Sequence, residues 1–187
     1  KHPDHKDCLQ SRAVAEYPSA TTIHRLDMET SGVIIMALNR ETHAHIGKQF
    51  ERRKTKKIYI ARLYGIVEQE EGEIDLPLIC DWPNRPKQMV DYERGKQALT
   101  RFKVLEREEH TDPEKRATRV AFYPVTGRSH QLRVHALAIN HPILGDSLYG
   151  TDTSRNAADR LQLHAKSLTL FHPKTGKEVT FKVSTPF

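Results

Sequence analysis

Several things are scarce in this 187-residue chain, and each scarcity removes a class of function. Two cysteines, Cys8 and Cys80, are too few for a disulfide framework. With no signal peptide in view they indicate a reducing cytosol, so a cytoplasmic protein is expected. No run approaches the roughly eighteen apolar residues of a membrane-spanning helix, so no membrane partner is expected. Nine glycines and 37% hydrophobic residues fit neither collagen nor a disordered chain. Histidines are plentiful but lack a ligand pattern. His43 and His45 are two apart and His130 and His135 five apart, so neither pair has the i,i+4 spacing of a helical metal site. What remains is a chain long enough for one large domain that buries roughly 70% of its unfolded surface.

Charge is not scarce. Thirty Lys and Arg stand against 24 Asp and Glu, a net +6 with histidines neutral. As a total this permits an anionic partner without identifying one. Its position says more. Residues 48–62 hold seven bases (Lys48, Arg52, Arg53, Lys54, Lys56, Lys57, Arg62) and one acid, Glu51, so this stretch carries the whole net charge. An acidic block follows at Glu68, Glu70, Glu71, Glu73 and Asp75. Two readings stand side by side: two solvated segments of opposite sign, or a local basic site for phosphates.

Periodicity indicates an α+β domain with a mostly antiparallel sheet and a few helices. Leu9, Ala13, Val14 and Tyr17 recur at helical spacing until Pro18. Residues 33–38 read as a buried strand, after which Asn39 caps a helix carrying Ile46 and Phe50. In residues 58–67, Ile58, Ile60, Arg62 and Tyr64 alternate with Tyr59, Ala61 and Leu63, which predicts a strand. Three prolines in residues 76–86 predict an irregular loop. Residues 98–105 and 118–123 read as an antiparallel pair. Ser129 is the expected cap of a helix carrying Leu132, Ala136 and Ile139 and ending near Asn140. Residues 161–165, 168–171 and 179–183 supply further strands. No repeat or flexible linker divides the chain, so residues 1–187 are expected to form a single domain.

Three segments carry candidate chemistry: HRLDMETSG at 24–32, Lys57-Ile58-Tyr59, and TGRSHQLRVH at 126–135. The first puts an acid before a buried strand. The second ends the basic block on an aromatic. The third places Arg128 ahead of a helix N-terminus, where N–H groups and the dipole favour an anion. Taken singly, each has a plainer account: Asp27 in a surface ion pair, Tyr59 in the core, Arg128 in a solvated turn.

Together, HRLDMETSG and GRSHQLRVH about a hundred residues later resemble the RluA-type pseudouridine synthases. The likeness continues through NHPILGD at 140–146 and LQLHA at 161–165, and so spans nearly the whole chain. LPLICDWPNRPKQ at 76–88 resembles the branch acting on both large-subunit ribosomal RNA and a tRNA anticodon stem-loop. The resemblance implies the family's fold, a mostly antiparallel mixed sheet with flanking helices and a central RNA-binding cleft. It implies an isomerase that cleaves the bond from uracil N1 to ribose C1′, turns the base and joins C5 to C1′. That reaction is neither redox nor hydrolytic and needs no cofactor and no metal.

By the same resemblance Asp27 is the catalytic carboxylate, attacking C1′ or taking the C2′ proton. Arg128 is its ionic partner, and Tyr59 stacks on the uracil and helps remove the C5 proton. Arg25 supports the flipped nucleotide, and Arg133 contacts phosphate or buttresses its helix. From their place in the basic block beside Tyr59, Lys54, Lys56 and Lys57 are expected to neutralise phosphates, and His24 is expected to fix its loop by hydrogen bonds. Three features depart from the family pattern. The family's opening Lys-Pro-x-Gly-like strand is expected to be lacking, no accessory N-terminal RNA-binding domain is expected, and Asn140 replaces a common Gly. Asn tolerates the left-handed conformation there. A monomer acting on RNA is expected. The competing readings are an RNA-binding protein without catalysis and a histidine-rich metalloenzyme, which differ in conversion of uridine and in sensitivity to chelator.

Overall fold

The computed structural model describes residues 7–187. Helix α1 (Leu9–Glu16) comes first, then three short strands, β1 (Thr21–Thr22), β2 (Ser31–Gly32) and β3 (Met36–Ala37). Helix α2 (Arg40–Glu51) leads into β4 (Lys56–Tyr64), followed by β5 (Glu71–Asp75), β6 (Leu78–Cys80), β7 (Gln88–Val90), β8 (Leu99–Glu108) and β9 (Ala117–Pro124). Helices α3 (Gln131–Ala138) and α4 (Asp152–Asn156) precede the last strands, β10 (Leu163–Phe171) and β11 (Glu178–Lys182). The main sheet runs β11-β10-β4-β9-β8-β5, all antiparallel, with β2 added parallel to β10. This is the mixed α+β architecture that the sequence predicts.

Cross-strand partners lie on the same side of a sheet, so register identifies the core face. Ala61 of β4 faces Leu163 of β10 and Val120 of β9, and Phe122 faces both Tyr59 and Phe102. These residues and Leu63 form the main core, with Leu132 and Ala136 of α3 packed on it. A bulge between Ala165 and Ser167 adds one residue to β10, so parity changes and Leu168 comes opposite Lys57. Leu168 and Leu170 therefore stay on the core face, where Ile46 of α2 packs against them. Both helices thus cover one face, α2 over β10 and α3 over β8 and β9. The bulge also explains why two expected strands, 161–165 and 168–171, form one.

Other expectations change in the folded chain. Residues 33–38 do not form a single strand, because the chain bends between the β2–β10 and β1–β3 pairings. The proline-rich segment is more regular than predicted: β6 and β7 form a hairpin around a 3-10 turn at Trp82–Asn84, with the prolines confined to its ends and tip. Ser129 does not cap α3. His130 takes that place with φ 52° and offers no side-chain cap, while Gln131 turns back to hold the preceding loop. Asn140 does adopt the left-handed conformation, at φ 63°. Among the described residues no helix is long and apolar enough to cross a membrane.

Candidate active site

A cavity of about 460 Å³ opens between the C-terminus of α2 and the loop before α3, floored by Lys57 and Tyr59 of β4. Period-two alternation puts those two side chains on the core face with Ala61 and Leu63. The strand therefore passes from core to cavity along one row. Asp27 and Arg25 enter from the loop before β2. That loop is stapled at several points. Gly32 has φ +117°, and a Cβ there would lie 2.3 Å from the Ala165 carbonyl oxygen, so only glycine lets β2 approach β10 this closely. Thr30 N–H donates to the Asp27 carbonyl at 3.0 Å, closing a turn. Ser147 Oγ donates to the Glu29 carboxylate at 2.9–3.0 Å.

His24 acts as the structural residue the sequence suggests. Its Nε2 accepts from Ile35 N–H at 3.0 Å, and its ring stacks on Phe50 at 4.6 Å. Burial, then the charge of Lys57, lowers its pKa to about 4, so the ring accepts that bond in its neutral form. Across the cavity, Gln131 is the organising side chain. It accepts from Arg128 N–H and Thr126 Oγ1 and donates to Leu99 O and Thr100 Oγ1, tying the loop to β8. Behind α3, buried Asp146 accepts from Arg133 Nε and Nη2 at 2.8 and 2.6 Å and from the N–H groups of Leu148 and Tyr149.

Of the predicted site residues, Arg25, Asp27, Lys57, Tyr59 and Arg128 line the one cavity. Three others do not. Arg133 is buried on Asp146, with Glu29 at 3.6 Å, so it buttresses the Asp27 loop and α3 and is not free for phosphate. Lys56 alternates to the opposite face from Lys57 and pairs with Glu178 at 2.8 Å. Lys54 is exposed beyond the cavity wall. Arg62, at the end of the basic block, is held by Glu108. The Asp27–Arg128 ion pair is not formed either. Arg128 Nε donates instead to Gln97 O at 3.1 Å, and Asp27 makes no ion pair among the described residues.

Sequence reasoning counted Arg53 in the basic block but did not single it out. It lines the cavity in the left-handed conformation, φ 55°. Lys54 N–H reaches Gln49 O and Arg53 N–H reaches Phe50 O, a Schellman ending with arginine where glycine is usual. A strained cation at a cavity wall is a signal of use that only φ reveals. Burial first, and then Arg53, lowers the pKa of Lys57. Burial and then the charge of Asp27 push Tyr59 up to about 12. Asp27 is left half-buried, its carboxylate accepting no hydrogen bond among the described residues, in a cavity walled by four cationic side chains. Among the described residues no group of three or more His, Cys, Asp or Glu is arranged to hold a metal.

The family model described as RNA pseudouridylate synthase matches residues 1–138. The dual-specificity RNA pseudouridine synthase RluA of Yersinia pestis is 50% identical over 185 residues, 99% of this chain and 87% of its own. Its counterpart from Vibrio parahaemolyticus is 53% identical over 172 residues, 92% of this chain and 68% of its own. Among solved structures, human RNA pseudouridylate synthase domain containing 1 superposes with a TM-score of 0.83 at 30% identity, covering 96% of this chain and 74% of that one.

Proposed function

The chain belongs to the RNA pseudouridylate synthase family, and from that premise we propose that it isomerises specific uridines to pseudouridine in ribosomal RNA and in a tRNA anticodon stem-loop. The observation that carries this reading is Asp27: a carboxylate that accepts no hydrogen bond among the described residues and faces the same cavity as an aromatic ring and four cations. An uncommitted carboxylate is what either chemical route needs, whether it attacks C1′ or removes the C2′ proton. The base is detached and rejoined within one site, so atoms and electrons balance without a co-reactant. Tyr59 offers a flat apolar face to an unstacked uracil. With its pKa near 12 the phenol keeps its proton at neutral pH. Its part in removing the C5 proton is therefore that of a hydrogen-bonding relay and not of a standing base. Arg25, Arg53, Lys57 and Arg128 supply positive charge around the flipped nucleotide, fixing phosphates without reading sequence. The proposed working unit is a cytoplasmic monomer, with residues 1–187 acting as one catalytic domain.

Incubation of transcribed tRNA and ribosomal RNA fragments with the protein and with Asp27→Asn tests this reading. Chemical derivatisation detects the product, since the isomers have equal mass. Conversion by the parent and none by the variant is expected. A variant that converts at the parent's rate sinks the role of Asp27, and a parent that binds without converting favours a non-catalytic RNA-binding protein.

A further inference from the structure

The hairpin β6–β7 carries a feature that the cavity does not use. Its turn is well built: Asp81 N–H bonds Lys87 O, Asn84 N–H bonds Asp81 O, Lys87 N–H bonds Asn84 O, and Asn84 Nδ2 donates to the Asp81 carboxylate at 2.9 Å. At the tip of this ordered turn stands Trp82, the chain's one tryptophan, 65% exposed. The guanidinium of Arg85 lies 3.4 Å from the centre of its ring, and Arg85 makes no ion pair among the described residues. One face of the indole is thus covered by an unneutralised cation, and the side chain is otherwise open. A packed loop would bury its tryptophan, whereas this one displays it.

The hairpin is also coupled to the cavity. Leu78 and Val90 pack with Val134 and Tyr149 beneath it. Gln88 N–H donates to Tyr149 Oη at 2.8 Å, and Tyr149 Oη shares a 2.7 Å hydrogen bond with His130 Nδ1. His130 directly follows the loop that presents Arg128 to the cavity. The tip is therefore a rigid projection of the wall facing Asp27, not an independent arm.

We propose that Trp82 and Arg85 form a stacking platform for an unpaired nucleotide of the same RNA loop that delivers the uridine. The base lies on the open indole face, and the guanidinium, held on the other side, meets an adjacent phosphate. Such a platform accepts any base but requires it to be unstacked, so it selects loops over duplexes. This rests on the RNA-modifying reading above and adds to it a second point of contact outside the catalytic cavity.

Because there is one tryptophan, its fluorescence reports on this platform alone. Asp27→Asn, which holds substrate without turnover, is titrated with an unmodified anticodon stem-loop transcript and with a fully paired duplex of equal length, while anisotropy of end-labelled RNA reads binding separately. The stem-loop is expected to quench Trp82 emission in step with anisotropy, and the duplex to leave emission unchanged. Trp82→Ala should weaken stem-loop binding about ten- to a hundredfold. Trp82→Phe should recover most of it, and Arg85→Ala should reduce the salt slope by about one. Stem-loop binding seen by anisotropy without quenching overturns the platform, as does unaltered affinity in Trp82→Ala. Either result with a parent that still converts RNA sinks the platform alone. A parent that neither binds nor converts RNA sinks the functional reading with it.

Discussion

Two aspartates on either side of Arg133 show how one side chain serves two purposes. Asp146 is fully buried and spends its carboxylate on two guanidinium bonds and two backbone N–H groups. Asp27, reached through the Glu29 contact of that same arginine, accepts no hydrogen bond among the described residues and opens on the cavity. Burying a charge is costly unless it is paired and hydrogen-bonded, and Asp146 meets that condition with four bonds, three on Oδ1 and one on Oδ2. A carboxylate so engaged has nothing left for chemistry. Asp27 keeps its lone pairs because no donor among the described residues reaches its carboxylate, although Arg25, Arg53, Lys57 and Arg128 line the same cavity. The rigid pair behind is what allows the uncommitted group in front.

Exchanging the two oxygens' roles by mutation breaks the comparison most sharply. Asp27→Asn should lower conversion by at least about a thousandfold, with thermal and urea unfolding within about 0.5 kcal/mol of the parent. Asp146→Asn should show the reverse signature, a stability loss of about 3–5 kcal/mol from an unpaired buried arginine, read by urea unfolding. Tyr59→Phe keeps the aromatic face and removes the hydroxyl of the proposed relay. Its single-turnover rate should fall about a hundredfold with RNA affinity unchanged.

Arg53→Gly tests the same division between stability and use at the cavity wall. Relief of the left-handed strain, offset by glycine's entropy, should raise stability by roughly 0.5–1 kcal/mol. Loss of the cation should weaken RNA binding severalfold and lower its salt slope by about one. The smallest effect belongs to His24. Its folded pKa of about 4 lies below the ordinary 6.5, so between those values the unfolded chain binds the proton more readily. Its stabilising contribution is complete above pH 6.5 and declines as pH falls towards 4. A falling protection factor at the Ile35 amide, its exchange rate taken relative to the intrinsic rate at each pH, would report the loss of its bond to His24.

Strands with clean alternation, such as β4, were legible in sequence because a half-buried strand must alternate. The cap of α2 was legible because Asn39 Oδ1 accepts from Thr42 N–H within the same turn. The cavity's five predicted members could be named from three short segments, HRLDMETSG, Lys57-Ile58-Tyr59 and TGRSHQLRVH. What misled the reading was side-chain direction. Lys56 and Lys57 are neighbours in a basic run, yet the pleat sends one to Glu178 and the other to the cavity. Arg133, within GRSHQLRVH, is drawn inward by Asp146, thirteen residues further on. The hairpin at residues 78–90 was hidden by its prolines, which sit at positions where no ladder N–H is required.

By itself the sequence determined the fold class and the family and brought Asp27 forward as the candidate acid, because these depend on local periodicity and on contiguous motif strings. Tertiary structure alone decided which charges are spent and which are free. Arg62 is spent on Glu108, Lys56 on Glu178 and Arg133 on Asp146, while Arg53, Lys57 and Asp27 face the cavity. The physical reason is that a charge's usefulness depends on its nearest partner in space, and those partners come from strands and loops distant in the chain.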